Sequence, residues 1–137
     1  MVSAPPQVWI PPSRLDIKIN VDVAVGPCFS AIAIVMRDWR KELVFVGSMK
    51  VNTIVPLQAE AEAEAVRWAI SLALALGGKS ILVESDSQVV VQLLSNMAVP
   101  PPWRIKSLCS DLRSLLSLSG NVSVLWVPRL CNQAAYI

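Results

Sequence analysis

Three glutamates, Glu60, Glu62 and Glu64, stand at alternate positions near the start of residues 57–87, a stretch that reads as a helix, a Gly77-Gly78 turn and a short apolar strand ending in Glu84-Ser85-Asp86. They are not equivalent. At about 100° per residue, Glu62 falls on the stripe of Val66, Ala69, Ile70 and Ala73, whereas Glu60 and Glu64 share the opposite face with Arg67 and Ser71. Glu62 therefore points at the core. An isolated buried carboxylate is so costly that it neutralises or finds a partner, so this position asks for a cation or a strong donor. The strand that follows delivers Asp86 at its C-terminal edge, just before the next helix, where α/β sheets tend to place their chemistry. Asp22, in an alternating strand upstream, is the remaining candidate acid.

Composition narrows what these acids can do. The chain has 137 residues and no histidine, which excludes Ser-His-Asp and Cys-His catalysis and His-containing zinc sites. Cys28, Cys109 and Cys131 are odd in number, widely spaced and without CxxC spacing, which fits reduced thiols in an intracellular compartment, nucleus or cytoplasm. Residues 1–12 are Pro-rich and weakly polar, so no signal peptide is expected. The longest charge-free run in the main helix, residues 68–78, falls short of the roughly 18 apolar residues that a membrane span needs. Twelve basic residues oppose ten acidic ones; setting the three candidate acids aside leaves seven, a balance that tolerates a phosphate backbone around an acidic centre.

The elements that must position the acids are legible in order. Residues 1–15, with Pro5-Pro6 and Pro11-Pro12, read as an extended lead-in or linker anchored by Trp9, and residues 16–137 as one domain. Residues 16–25 alternate cleanly, Ile17, Ile19, Val21, Val23 and Val25 against Asp16, Lys18, Asn20, Asp22 and Ala24, with Lys18 and Asn20 expected on a solvated face. Residues 30–36 and 42–51 make two further strands around the polar turn 37–41, and short turns join all three into an antiparallel meander. The helix 57–76 and the strand 81–84 follow. Ser87 can cap a helix through about residue 95 with Val90, Val91 and Leu94 inward, and a third helix, about 103–117, turns Ile105, Leu108, Leu112, Leu115 and Leu116 inward. A strand over 122–127 closes the series at Pro128. The expectation is an α/β domain: a five-stranded mixed sheet, a three-strand meander then αβααβ, with helices on the sheet faces.

In this order the motifs resemble those of the plant reverse-transcriptase-like branch of the type 1 ribonuclease H family, over nearly the full length from Trp9 to Tyr136. They are Trp9-Ile10-Pro11-Pro12, Lys18-Ile19-Asn20-Val21-Asp22, Arg37-Asp38, the Ala-Glu-x-x-Ala of residues 61–65, Glu84-Ser85-Asp86, and the Val-x-Arg-x-x-Asn of residues 127–132. The resemblance implies a nuclease that cuts the RNA strand of RNA–DNA hybrids with two Mg²⁺ ions about 4 Å apart, Mn²⁺ being an alternative. It places Asp22 between both ions, Glu62 on one near the 2′-hydroxyl, and Asp86 on the other beside the attacking water. Carboxylates suit the task because Mg²⁺ prefers hard oxygen ligands and keeps several waters.

Asn20, Arg37, Lys41, Arg129 and Asn132 are candidate nucleic-acid contacts; Asn132 reads equally as a residue that orients a site loop or as a turn residue. The partner implied is a hybrid duplex rather than a membrane, bound by a monomer or by part of a larger polyprotein. The family pattern also has glycine where this chain has Val23, Ala31, Ala33 and Lys41, and a fourth acid or a histidine at Tyr136. A last helix beyond residue 137 is expected to be missing, leaving one sheet face uncovered. These departures set a rival reading beside the enzyme: a catalytically inactive, nucleic-acid-binding remnant of a retrotransposon-derived protein.

Overall fold

The computed structural model describes residues 10–12, 16–52, 58–76, 80–118 and 120–135. The remainder of the Pro-rich lead-in, the Gly77-Gly78 turn, Tyr136 and any last helix lie outside the described residues. Five strands, β1 (Asp16–Val25), β2 (Phe29–Arg37), β3 (Leu43–Asn52), β4 (Ser80–Ser85) and β5 (Val122–Trp126), form one sheet in the order β3-β2-β1-β4-β5. β1, β2 and β3 pair antiparallel, and β4 joins β1 and β5 in parallel. This is the mixed α/β sheet expected from the meander and the αβααβ series.

Alternation in β1 settles which side of the sheet is core. Ile19, Val21 and Val23 pair with Met36, Ile34 and Ile32 in β2, and Ile17 and Ile19 with Ile81 and Val83 in β4, forming one apolar face. Helix α1 (Gln58–Leu76) covers that face with the stripe Ala63, Val66, Ala69, Ile70 and Ala73, whose small side chains bring the helix close to the sheet. Its other face carries the exposed Arg67 and Ser71, with Glu64 reaching Arg67 at 3.9 Å. Helix α2 (Gln88–Ser95) begins at Ser87, whose hydroxyl accepts from the Val90 amide, and buries Val90, Leu93 and Leu94. Leu93 thus replaces the expected Val91, which is only half-buried. The expected third helix is divided: a single 3-10 turn (Trp103–Ile105) leads into α3 (Lys106–Leu118). The Arg113 guanidinium on α3 donates to the Leu93 carbonyl at 2.7 and 2.9 Å and to the Val99 carbonyl at 2.9 Å, satisfying acceptors left over where α2 ends. After β5 a 3-10 segment, Arg129–Ala135, packs against β1.

One of the positions where the resembled pattern has glycine has a measurable consequence. Lys41, in the β2–β3 turn, is the one non-glycine residue with positive φ among the described residues, at 65°; Val23, Ala31 and Ala33 have ordinary strand backbones. The turn is held by Asp38, which accepts from the Arg40 and Glu42 amides at 2.8 and 3.1 Å. A Cβ in the left-handed region costs on the order of 1 kcal/mol. Lys41→Gly is therefore expected to raise stability by about 0.5–1 kcal/mol, read as an upward shift of the urea midpoint at unchanged slope.

Candidate active site

Asp22 sits near the C-terminal end of β1, Asp86 immediately follows β4, and Glu62 lies in the second turn of α1. Because β1 and β4 run parallel with Asn20 beside Glu84, the next turn of the pleat brings Asp22 and Asp86 out at the same edge of the sheet. Together with Val23, Ser87 and Arg129, the three acids line one open pocket of about 320 Å³. Glu62 is only 3% exposed, as its place on the core stripe requires. Its Oε2 accepts no hydrogen bond from the described residues. Burial pushes the Asp22 carboxyl above the ordinary carboxylate range and the negative charge of Asp86 adds to the rise, while the Val23 amide and the Arg129 guanidinium oppose it.

Asp86 does not cap the helix that follows it; Ser87 does, as expected. The Ser87 amide donates to the Ser85 hydroxyl at 3.1 Å, and the Trp126 indole donates to the Asp86 carbonyl at 3.2 Å. Backbone and neighbours are thus pinned while the carboxylate faces the pocket.

The polar face of β1 behaves differently from the expectation. Lys18 and Asn20 are buried, not solvated. Lys18 forms an ion pair with Glu84 at 3.2 Å and also donates to the Ile10 carbonyl of the lead-in. Asn20 donates to Glu84 and to the Asn132 side-chain oxygen, each at 3.0 Å, and Asn132 donates to the Val21 carbonyl at 2.6 Å. Asn20 and Asn132 have no exposed surface, so neither touches a nucleic acid directly, which corrects their assignment as contacts. Asn132 instead takes the loop-orienting role: it ties the 3-10 segment to β1 one residue from Asp22, and that segment begins with Arg129 at the pocket. Glu84, a solvated or salt-bridged neighbour of Asp86 by its sequence position, takes the salt-bridged form, and with the buried Lys18 it anchors Asn20. Buried, partnered charges of this kind fix geometry more surely than they add stability.

Arg37 and Lys41 lie elsewhere. Arg37 pairs with Lys18, four residues back along β1 from Asp22 and so about 13 Å away at strand spacing. Neither lines the acidic pocket; of the candidate phosphate contacts only Arg129 does.

The donor set suits a hard divalent cation. The pocket offers carboxylate oxygens and neither sulfur nor imidazole, and a cation would relieve the repulsion between Asp22 and Asp86. Among the described residues no three acidic or cysteine side chains close around a single point as a one-ion cage would. The acids border an open space.

A family model described as reverse transcriptase-like matches residues 20–137. A comparison with curated protein sequences gives no match. Among solved structures, LC11 ribonuclease H1, isolated from compost by a metagenomic approach, is similar with a TM-score of 0.77 at 19% identity over 89% of this chain and 91% of that one. The same protein in complex with an RNA/DNA hybrid gives 0.70 at 18% identity, over 88% and 90%. Ribonuclease H1 from the halophilic archaeon Halobacterium salinarum gives 0.72 at 22% identity, over 90% and 92%. At these identities the likeness is one of fold.

Proposed function

The chain belongs to the reverse transcriptase-like family, with a ribonuclease H-like fold, and from that membership we propose that it is a metal-dependent endonuclease hydrolysing the RNA strand of RNA–DNA hybrids. The observation that carries the reading is the convergence of Asp22, Glu62 and Asp86, 64 residues apart from first to last in sequence, on one pocket beside Arg129. A solved structure of the same fold in complex with an RNA/DNA hybrid supports the choice of ligand. The order of the motifs further supports placing the chain in the plant, type 1 branch, with an origin in a retrotransposon.

In this reading Asp22 and Asp86, on adjacent parallel strands, and Glu62, on the helix facing them, hold two Mg²⁺ or Mn²⁺ ions. When bound, the ions supply an activated water and stabilise the departing 3′ oxygen of an in-line displacement. The chain's own part is preorganisation. Glu62 is locked by the core stripe of α1, Asp86 by Ser85, Ser87 and Trp126, and Asp22 by its strand and the Val23 amide. Arg129, oriented through Asn132, offers a planar cationic fork suited to a phosphate at the rim. Asp22 must be ionised to hold a cation, so its raised pKa in the metal-free protein predicts that Mn²⁺ affinity begins to fall, as pH is lowered, at a higher pH than an ordinary aspartate would set. Mn²⁺ titrations across the acidic range check this: an affinity that falls only where an unperturbed aspartate protonates would contradict the burial of Asp22.

The test is a cleavage assay on a hybrid with either strand labelled, in Mg²⁺ and in chelator, beside duplex DNA and duplex RNA. Metal-dependent shortening of the RNA strand of the hybrid alone is the expected result. Binding of the hybrid without cleavage would favour the silent remnant, and no binding to any of the three duplexes would end both readings.

A further inference from the structure

A buried polar chain stands one step behind the acidic pocket on three elements at once. Asn20 of β1 precedes Asp22 by two residues, Glu84 of β4 precedes Asp86 by two, and Asn132 of the 3-10 segment follows Arg129 by three. Asn20 joins the other two. Its Nδ2 donates to Glu84 Oε1 and to Asn132 Oδ1, each at 3.0 Å, and Asn20 and Asn132 are fully buried. Chemistry dictates the direction of each bond. An ionised carboxylate only accepts, so the Asn20 nitrogen must face Glu84; the Val21 carbonyl only accepts, so the Asn132 nitrogen must face it, at 2.6 Å, which leaves the Asn132 oxygen for Asn20.

We propose that Asn20 is a positioning residue: it holds the 3-10 segment against β1 and β4 and so keeps Arg129 beside Asp22 and Asp86. The task needs a short side chain with two protons on one atom, which asparagine supplies, whereas serine has one donor and ionised aspartate has none. Two backbone bonds bracket Arg129. The Val127 amide donates to the Ser85 carbonyl at 3.0 Å and carries the β4–β5 pairing up to Pro128, and the Cys131 amide donates to the Pro128 carbonyl at 2.9 Å, closing the first turn of the segment. Neither of these bonds reaches β1; the Asn132 side chain does, and Asn20 fixes which way its amide points.

Arg129 is exposed at the pocket while Asn132 is buried, so the segment turns a cation outward and an anchor to the sheet. Removing the Asn20 amide leaves the Asn132 oxygen and Glu84 Oε1 buried without this donor, a cost that lifting the segment into water relieves. The inference deepens the nuclease reading and rests on it only for the part that Arg129 plays toward a phosphate; where the segment lies can be tested without metal or nucleic acid.

Limited trypsin digestion of the metal-free full chain, followed by mass spectrometry, is the first test. The parent is expected to resist cutting after Arg129, and Asn20→Leu to raise that rate roughly tenfold, while cutting after Arg67 of α1 and Lys106 of α3 stays near the parent rate. Asn20→Ser, which keeps one donor, is expected to fall between them and takes the place of the leucine variant if that one unfolds. Parallel acceleration at all three sites in both variants, or none after Arg129, would overturn the proposal. The second test is the affinity for a fluorescent RNA–DNA hybrid in Ca²⁺, a hard cation with looser geometry than Mg²⁺. The folded Asn20 variant and Arg129→Ala are each expected to weaken binding about tenfold, and the Asn20 change to add nothing once Arg129 is gone; additive losses would overturn the proposal. Absence of binding by the parent would overturn the nuclease reading instead, and the trypsin result would still decide the role of Asn20.

Discussion

Asp22→Asn is expected to lower cleavage of the hybrid by at least about 10²-fold, the scale of loss when one electrostatic group leaves a preorganised site, and at the same time to make the metal-free protein more heat-stable at neutral pH. The two effects share one cause. Burial and the neighbouring Asp86 hold the Asp22 pKa above its ordinary 3.8. A carboxylate whose pKa is raised on folding favours the folded state fully below its unfolded pKa, and that contribution is lost as pH rises through the folded value. At pH 7 the ionised Asp22 is therefore a burden on the metal-free fold, and the neutral asparagine removes it. A rise in melting temperature on the order of 2 °C is expected at pH 7, shrinking toward nothing below pH 3.8, where the native side chain is itself protonated. Differential scanning calorimetry at the two pH values checks the sign. A variant less stable than the parent at neutral pH would mean that Asp22 is chiefly a structural hydrogen-bonding residue.

The largest effect on stability is expected from Lys18→Ala. Lys18 and Glu84 are each 7% exposed and 3.2 Å apart, and removing one member of a buried pair leaves the other desolvated without its counter-charge, which costs about 3–5 kcal/mol. A domain of this size has only about 5–15 kcal/mol in total, so the variant should unfold at a much lower urea concentration. Neutralising both partners, as Lys18→Met with Glu84→Gln, should recover most of the loss, because glutamine still accepts from Asn20 and no lone charge remains buried. Equilibrium denaturation of the three proteins decides the matter: a single variant within about 0.5 kcal/mol of the parent would place this pair among exposed ion pairs of little consequence.

The parts of the molecule that could be read from the chain are those governed by local periodicity. The alternation of β1 and the stripe on α1 placed Ile17, Ile19, Val21, Val66 and Ile70 in the core and picked Glu62 out from Glu60 and Glu64, because strand and helix periods are set by backbone geometry alone. What escaped reading was non-local. Lys18 and Asn20 looked solvated because their partners, Glu84 and Asn132, are 64 and 112 residues from Asn20, and no periodicity announces a contact over such distances. A clue was present in the placing of Lys18, Asn20 and Asp22 on one face, a polar row that would be costly to bury unless paired. Arg37 was grouped with Arg129 on charge, yet charge does not say at which end of the sheet a residue emerges; the antiparallel return of β2 puts it beside Lys18. The 3-10 segment of residues 129–135 is too short and irregular for a periodic signal, although it carries both Arg129 of the pocket and Asn132, which ties the segment to β1. The left-handed backbone at Lys41 could be suspected only by comparison with a pattern that has glycine there.

Joint action of Asp22, Glu62 and Asp86 on divalent cations is tested most directly by a titration with Mn²⁺ followed by electron paramagnetic resonance. The parent protein is expected to take up two ions with a spin–spin interaction characteristic of a separation near 4 Å, and Asp22→Asn is expected to lose that interaction together with most of the affinity. Uptake of no ion at millimolar Mn²⁺, or uptake that Asp22→Asn leaves unchanged, would contradict it.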